Sequence, residues 1–333
     1  MAVSVFASFG CVAIDSDIRW PDAETIITLD DAVTWIGEIE LYESDAVINV
    51  SPMVGADPWG GFLIADSREA QLRLYNRAGE LKGYFGSRGD GPGELRRPRV
   101  LLRSPDGNLL AFDSRLRLVV FDSLGMTVQR TVSTPFARVD LGYIWDDSTV
   151  MIAGQLATGG ENRLLHFWDT VGDSVRTSFF DPTFGQSTAL LRNLGWASVA
   201  RLGDEIVATY SMTDTLYVLD RGGVFLRGIP IPIDDFRKAE PSPTGIATRE
   251  WQSSFDLISS VHSMANGEIL VEWLSPSPSE QELRLVLLTA EGEKLFALRN
   301  TSRLLTVVDG KEMVFVQPGS LTPNKWVFAQ LRY

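Results

Sequence analysis

Short runs of apolar residues, separated by turns rich in glycine and aspartate, recur along most of the chain. Two such runs on either side of a tight turn are typical of a β-hairpin. One example is Leu109-Leu110-Ala111, which follows the turn Asp106-Gly107. The pattern predicts an all-β protein assembled from consecutive hairpins.

One turn repeats five times, with an apolar strand end followed by a polar residue and, three residues later, a glycine. The copies are Asn76–Gly79, Asp122–Gly125, Asp169–Gly172, Asp220–Gly223 and Thr289–Gly292. The first side chain can accept bonds from its own backbone, and the glycine supplies a positive φ. The glycines are 46, 47, 51 and 69 residues apart. This spacing is typical of four-stranded propeller blades with variable loops.

A second turn lies upstream of each of these and occurs six times. Its copies are Gly60-Gly61, Asp106-Gly107, Asp147-Ser148, Gly203-Asp204, Asn266-Gly267 and Asp309-Gly310. The sixth unit has only three strands, whereas Trp35–Tyr42 forms a spare strand before the first unit. A ring must hide its edges, so we expect the N-terminal strand, about residues 35–42, to complete the last blade.

We therefore predict a six-bladed β-propeller of four-stranded antiparallel blades. It forms a single domain over residues 35–333, preceded by a leader or N-terminal extension over 1–34. The expected blades are 47–86, 99–131, 139–180, 196–230, 257–299 and 303–333 with 35–42. The long connection 230–256 is either a functional lid or a cover for an exposed edge.

A known family is recognisable in the link after the first predicted blade. Residues 85–95, FGSRGDGPGEL, are followed by Pro98, Asp106-Gly107 and Phe112-Asp113-Ser114. This stretch resembles an NHL-type repeat and is similar to the bacterial "6-bladed beta-propeller" proteins, many of them expected to be exported lipoproteins. The resemblance covers residues 57–125 and then continues as turn spacing alone. It implies a propeller fold and an exported location, and it implies no single activity.

The N-terminus adds a prediction about location. Met1–Gly10 is apolar and uncharged, and it precedes Cys11, the single cysteine. It resembles the end of a lipoprotein signal, which makes Cys11 a candidate for lipidation, with a signal remnant to residue 10. The alternative is a leader in which the cysteine is incidental. We expect an extracytoplasmic protein, periplasmic or membrane-anchored, with no membrane span.

Composition narrows the classes of partner. The formal net charge is -13, which argues against a nucleic-acid partner because phosphate binding needs a dense basic surface. One cysteine excludes an internal disulfide, and two histidines cannot supply a three-histidine zinc site.

Two groups of residues are candidates for binding a protein partner. Arg88, Arg96, Arg97 and Arg99 form a local basic patch that could dock a carboxylate, a phosphate or an acidic partner. The alternative is a solvated loop whose arginines pair with nearby carboxylates. The second group is aromatic and consists of Trp59, Trp145 and Trp251. These residues either anchor a partner or a sugar, or pack between blades.

Two aspartates, Asp66 and Asp113, end matching strands. They could reach a ligand or a metal, but such residues more often bind amides of their own turn. No motif of an established catalytic centre is present, and no residue spacing identifies a metal site. Calcium held by oxygen ligands in the channel stays open as a cofactor.

The favoured function is a non-catalytic scaffold propeller, an extracytoplasmic accessory subunit that docks on a membrane-associated protein complex. One alternative is a calcium-dependent propeller hydrolase or lyase, similar to the lactonases. Another is a sensor that binds a carbohydrate or a peptide. Whether the protein is an enzyme stays open on sequence alone, and the residues favour a protein that is not.

Overall fold

The structure is a computed structural model that describes residues 28–41, 53–114, 116–157, 163–181, 195–234, 236–241, 248–276, 281–299, 301–317 and 325–332. Six four-stranded antiparallel sheets form the blades of a propeller, as the repeat pattern predicts. A short parallel pair of strands lies in the link between the first two blades.

The chain enters the fold through helix α1 (Leu29–Ala32) and strand β1 (Val33–Glu40). Blade 1 contains β2 (Met53–Ala56), β3 (Phe62–Asp66), β4 (Gln71–Tyr75) and β5 (Leu81–Phe85). The link to blade 2 contains β6 (Ser87–Arg88) and β7 (Glu94–Leu95). Blade 2 contains β8 (Pro98–Arg103), β9 (Leu109–Asp113), β10 (Arg117–Phe121) and β11 (Val128–Ser133). Blade 3 contains β12 (Phe136–Asp146), β13 (Thr149–Leu156), β14 (Leu165–Asp169) and β15 (Ser174–Phe179).

The remaining blades follow the same order. Blade 4 contains β16 (Ala197–Leu202), β17 (Glu205–Tyr210), β18 (Thr215–Leu219) and β19 (Phe225–Pro230). Helix α2 (Arg249–Gln252) lies in the next connection. Blade 5 contains β20 (Leu257–Ser263), β21 (Ile269–Pro276), β22 (Gln281–Leu288) and β23 (Lys294–Leu298). Blade 6 contains β24 (Leu304–Val308), β25 (Glu312–Val316) and β26 (Lys325–Leu331), completed by β1.

The core lies in the seams between neighbouring blades. In β9, Leu109 and Ala111 pack into the cluster shared with blade 1, and Leu110 and Phe112 pack into the cluster shared with blade 3. Alternate side chains of one strand point to opposite faces of its sheet. A strand that packs against an apolar cluster on each face therefore needs apolar side chains on both faces. Strand β9 is buried along its whole length.

The ring closes between the two ends of the described chain. Strand β1 pairs antiparallel with β26 from Val33 opposite Leu331 to Glu40 opposite Lys325. This confirms the N-terminal strand, although it begins two residues before the predicted Trp35. Thr28 precedes it as a helix cap, with its amide and hydroxyl both donating to the Asp31 carboxylate. The fold therefore includes residues that the sequence assigned to the leader.

The repeated glycine turns are confirmed, and they have a packing role as well as a conformational one. Gly125 has φ +75°, and a Cβ added there would lie 2.5 Å from the Phe85 ring of the preceding blade. Gly223 has φ +85°, and its Cβ would lie 2.6 Å from the Phe179 ring. Side chains are disfavoured at both sites by backbone conformation and by space.

Blade 3 departs from this pattern. The left-handed residue of its turn is Asp173, with φ 48°, rather than the predicted Gly172. The carboxylate of Asp173 lies 3.2 Å from the Arg130 guanidinium of blade 2. An ion pair therefore holds this turn against the preceding blade where other blades use a glycine in contact with a hydrophobic side chain.

The long connection after blade 4 packs back onto the ring. Ile233 and Phe236 pack against the cluster between blades 4 and 5, and Trp251 and Phe255 pack against the cluster between blades 3 and 4. Asp256 fixes its base by accepting the Arg237 amide at 2.9 Å. The connection thus packs on two seams between blades. Within the described ranges, no helix is long and apolar enough to cross a membrane.

Candidate functional site

The up-and-down order of the strands divides the loops between two faces of the ring. Both hairpin turns of the repeat leave a blade on one side, which we call the turn face. The connections between the second and third strands, and the links between blades, leave on the other side, which we call the mouth face. Propellers commonly bind ligands and partners on loops carried by such a rigid scaffold.

The link between blades 1 and 2 is a well-ordered mouth-face loop, held by bonds within itself. Ser87 and Arg88 pair in parallel with Glu94 and Leu95, and the Gly89 amide donates to the Leu95 carbonyl at 3.0 Å. The Glu94 carboxylate accepts the Gly91 amide at 2.8 Å. A Cβ at Gly89 would overlap the Glu94 carboxylate. The glycines therefore permit a tight link that fixes the arginines on either side of it.

Asp113 anchors the end of this link from blade 2. Its carboxylate accepts the backbone amides of Arg97 at 2.8 Å and Arg96 at 3.1 Å, and it pairs with Arg117 at 2.9 Å. In blade 1, Asp66 accepts the Arg68 amide of its own turn at 2.9 Å, as predicted. For Asp113 the prediction was wrong in the part of the chain that the structure describes, because its carboxylate accepts amides of the link before its blade and none of its own turn.

The arginines of this link line a cavity of about 350 Å³, which we call the arginine cavity; its lining consists of Arg88, Arg96, Arg97 and Ser114. Arg96 forms an ion pair with Asp90, which raises the pKa of the Arg96 guanidinium. Arg88 donates to the backbone carbonyl of Arg68, an uncharged acceptor. Arg97 is exposed, and among the described residues its guanidinium has neither a hydrogen bond nor an ion pair. Two guanidinium groups of the cavity, those of Arg88 and Arg97, therefore have no ion pair among the described residues.

Arg99 belongs to a neighbouring polar group on the inner strands. It follows the link on β8, near Asp140 of β12. Burial raises the pKa of Asp140 above its usual value, and the charges of Arg138, whose guanidinium lies 2.8 Å from the carboxylate, and of Arg99 oppose this rise. Arg138 also donates to the Gly195 carbonyl at 2.6 Å, which ties blade 3 to the start of blade 4. Arg99 thus lies beside the arginine cavity rather than in its lining.

Two of the candidate tryptophans lie on the turn face. Trp59 is 62% exposed and stacks on the Arg103 guanidinium, with 4.0 Å between the guanidinium carbon and the ring centroid. Trp145 is only 7% exposed, and Arg201 stacks on its ring at 5.0 Å. Trp145 packs within the seam between blades 3 and 4. Neither tryptophan shares a surface with the arginine cavity.

Trp251 lies on the mouth face, across the ring from the arginine cavity. It is half-buried against the seam of blades 3 and 4, and its indole nitrogen donates to the Glu240 carbonyl at 3.1 Å. The candidate residues therefore separate into an arginine cavity with Arg99 beside it, two turn-face tryptophans and one distant mouth-face tryptophan. Cys11, the lipidation candidate, lies outside the described residues.

Of the two histidines, His166 is buried and His262 is half-buried, and both lie within blades. His166 contacts the Ser178 hydroxyl at 2.8 Å, and burial lowers its pKa to about 4. His262 contacts the Ser260 hydroxyl at 3.1 Å, and burial likewise lowers its pKa to about 4. Both imidazoles are therefore neutral at neutral pH.

A buried carboxylate lies between blades 5 and 6 and was not among the predicted residues. Glu272 is 1% exposed, and it accepts the Leu304 amide across the seam at 2.8 Å. Burial raises its pKa, while hydrogen bonds from Ser259 and Ser260 lower it. The sequence does contain a sign of this buried carboxylate, since Glu272 is the one charged residue in the otherwise apolar run Ile269–Leu274. Across the ranges that the structure describes, no three His, Cys, Asp or Glu residues are grouped to hold a metal ion.

Comparison with known proteins supports the fold. The chain is similar to a Bacteroides fragilis protein described as exported, with a TM-score of 0.65 and 14% identity over 93% of this chain and 98% of that chain. It is also similar to a DUF4221 family member from Bacteroides vulgatus, with a TM-score of 0.62 and 12% identity over 90% of this chain and 97% of that one. No family model and no curated protein matches the sequence. At this identity the likeness shows a shared fold.

Proposed function

We propose that this protein is a non-catalytic interaction propeller that works outside the cytoplasm as an accessory subunit of a membrane-associated protein complex. The observation that carries the proposal is the arginine cavity, a positively charged recess held in place by a rigid link on the mouth face. The recess is positively charged in a protein whose net charge is -13, and charge complementarity steers and orients protein partners.

The proposed location rests on two further observations. The similar Bacteroides fragilis protein is described as exported, and the apolar residues before Cys11 resemble a lipoprotein signal. A lipid on Cys11 would add membrane affinity to that of a protein partner, and stable anchoring generally needs two such signals. The NHL-type resemblance of residues 57–125 also remains a prediction.

A sensor for a small ligand is the second candidate, because about 350 Å³ falls within the usual range for small-molecule sites. A channel calcium, required by the hydrolase or lyase alternative, is tested by melting with calcium and with chelator. A site occupied at 100 times its dissociation constant would add about 2.7 kcal/mol to the free energy of unfolding.

The deciding experiment is affinity purification of the tagged protein from gently solubilised native membranes, followed by mass spectrometry. We expect a membrane complex in stoichiometric amount, together with a lipid-modified Cys11 peptide. Removal of Arg88 and Arg97 (Arg88→Gln with Arg97→Gln) should reduce recovery of the partner. The matched control is Lys311→Gln, which removes an exposed positive charge from the turn face. A monomer without partners that turns over a small molecule would refute the proposal.

A further inference from the structure

We propose that the arginine cavity binds a carboxylate carried by an acidic segment of a protein partner. This inference rests on the proposed interaction function and names the chemistry that the partner presents. It begins from the charges around the cavity. Arg117 forms an ion pair with Asp113, and Arg96 forms an ion pair with Asp90, so each of these two arginines has a carboxylate beside it.

Two guanidinium groups remain. Arg88 donates to a backbone carbonyl, and no carboxylate of the described residues lies within ion-pair distance of Arg88 or Arg97. Glu94 is a further carboxylate of the link; it accepts the Gly91 amide, and its charge acts on Arg96. A bound anion would therefore meet two positive charges that lack an ion pair, with the Ser114 side chain beside them.

The backbone of the link indicates which anion fits. Gly-rich loops bind phosphate by pointing several free amides at it. Here the Gly89 amide donates to Leu95, the Gly91 amide donates to Glu94, and the Glu94 amide donates to Gly91. These donors are used within the loop, so the cavity offers side-chain guanidinium forks in place of an amide nest.

A guanidinium fork matches the two oxygens of a carboxylate, and the pair forms two parallel hydrogen bonds. Two such groups suit an acidic segment that carries neighbouring carboxylates. Asp113 fixes the backbone of Arg97, and the carbonyl of Arg68 holds the side chain of Arg88. The Arg88 guanidinium is therefore positioned before the anion binds, whereas the exposed Arg97 side chain becomes ordered on binding.

The test uses a hexaglutamate peptide as the probe, with hexaglutamine and inorganic phosphate as comparison ligands, and measures binding by calorimetry. We expect the protein to bind hexaglutamate, to bind hexaglutamine undetectably, and to bind phosphate more weakly than hexaglutamate. Raising the salt concentration should weaken binding, because the site is exposed to solvent. Phosphate that binds more tightly than hexaglutamate would overturn the carboxylate assignment.

Variants locate the site. Arg88→Gln with Arg97→Gln should weaken hexaglutamate binding at least about tenfold, which corresponds to about 1.4 kcal/mol. The variant Arg88→Lys with Arg97→Lys keeps both positive charges but loses the guanidinium forks. Its affinity for hexaglutamate should therefore lie between those of the native protein and the double-Gln variant. Lys311→Gln should bind as the native protein does. Melting temperatures of all variants verify that they are folded, and equal affinity of the native and double-Gln proteins would refute the inference.

The inference and the proposed function fail differently. If the double-Gln variant loses hexaglutamate binding but still recovers the native partner, the carboxylate assignment to that partner is wrong and the interaction function stands. If the native protein binds hexaglutamate but recovers no partner from membranes, the cavity chemistry stands and the interaction function fails.

Discussion

The seam between blades 1 and 2 and the seam between blades 5 and 6 are both crossed by a buried carboxylate, but the two carboxylates have different partners. Asp57 of blade 1 meets Arg103 of blade 2 in a two-pronged ion pair, with distances of 2.7 and 2.8 Å. Glu272 of blade 5 meets the Leu304 amide of blade 6 and the hydroxyls of Ser259 and Ser260. The first carboxylate has a countercharge in contact, and the second is held mainly by neutral donors.

The two seams therefore respond differently to mutation and to pH. The Arg103 Nη1 group donates to the carbonyls of Gly107 and Ser123, at 3.0 and 2.9 Å, so four of the five guanidinium donors are hydrogen-bonded. A paired buried charge is costly to disturb because its partner is left without compensation. A carboxylate held mainly by neutral donors costs less to replace with an amide, since the attraction of the Arg303 charge is the one charge–charge interaction lost.

The largest expected effect is that of Arg103→Met, which leaves Asp57 buried without its countercharge. We expect the free energy of unfolding to fall by about 3–5 kcal/mol. Denaturant titration measures this change. The double variant Asp57→Asn with Arg103→Met should regain part of the loss, because no lone charge remains. A loss below about 1 kcal/mol for Arg103→Met would mean that the ion pair contributes little to this seam.

Acid should lower the free energy of unfolding through the two histidines, which are neutral in the folded protein. Each has a folded pKa of about 4 against 6.5 in the unfolded chain, so the unfolded state binds more protons below pH 6.5. The free energy of unfolding therefore decreases by up to about 3 kcal/mol per histidine as the pH falls from 6.5 to about 4.

Melting curves across this pH range measure the acid effect. Substituting His262, which lies two residues from Ser260 at the seam of blades 5 and 6, should remove about half of it. The His262→Gln variant therefore separates the contribution of His262 in blade 5 to the acid effect from that of His166 in blade 3. An unchanged pH profile in this variant would contradict the assignment.

Glu272→Gln tests the second seam directly. The amide oxygen can still accept the Leu304 amide, and the cost of burying a charge disappears. We expect a gain of about 1 kcal/mol at neutral pH. Because burial raises the pKa of Glu272, the native protein recovers stability as pH falls from neutrality, and the advantage of the variant shrinks. A loss of more than about 2 kcal/mol at neutral pH would show that the charge itself holds the seam.

The smallest expected effect is that of Trp59→Ala, at about 0.5 kcal/mol, because the ring is largely exposed over Arg103. Trp145→Ala is the matched comparison, since this ring is also stacked by arginine but is buried. It should cost about 3–5 kcal/mol. Equal losses would mean that the stacking contact, rather than burial, sets the contribution of both tryptophans.

Much of the fold was predictable because its signals are local. An aspartate or asparagine that accepts amides two and four residues later defines a turn within a few residues, as Asp122 does for Leu124 and Met126. The repetition of that turn gave the number of blades. The count of strands then required β1 to close the ring.

The candidate site was predictable only in part because its contacts are not local. The arginines near 88–97 form a cluster that is visible in the sequence. Which backbone amides of the link are hydrogen-bonded within it depends on how the loop closes. The pairing of Asp57 with Arg103 joins residues 46 apart, and no local pattern indicates it. Trp59 and Trp145 could be assigned to a face only after the direction of each strand was known.

The pairing of β1 with β26 also sets an order of events during synthesis. The two strands lie nearly three hundred residues apart in the sequence, so β1 leaves the ribosome long before its partner exists. Such distant pairing is slow because loop closure must precede any gain from contact. Until then, β1 presents an open edge with Trp35 and Ile36 on it, and β26 of a second molecule can pair with that edge as well. The strand that completes the ring is thus also the element through which two newly made chains could exchange strands into a swapped dimer.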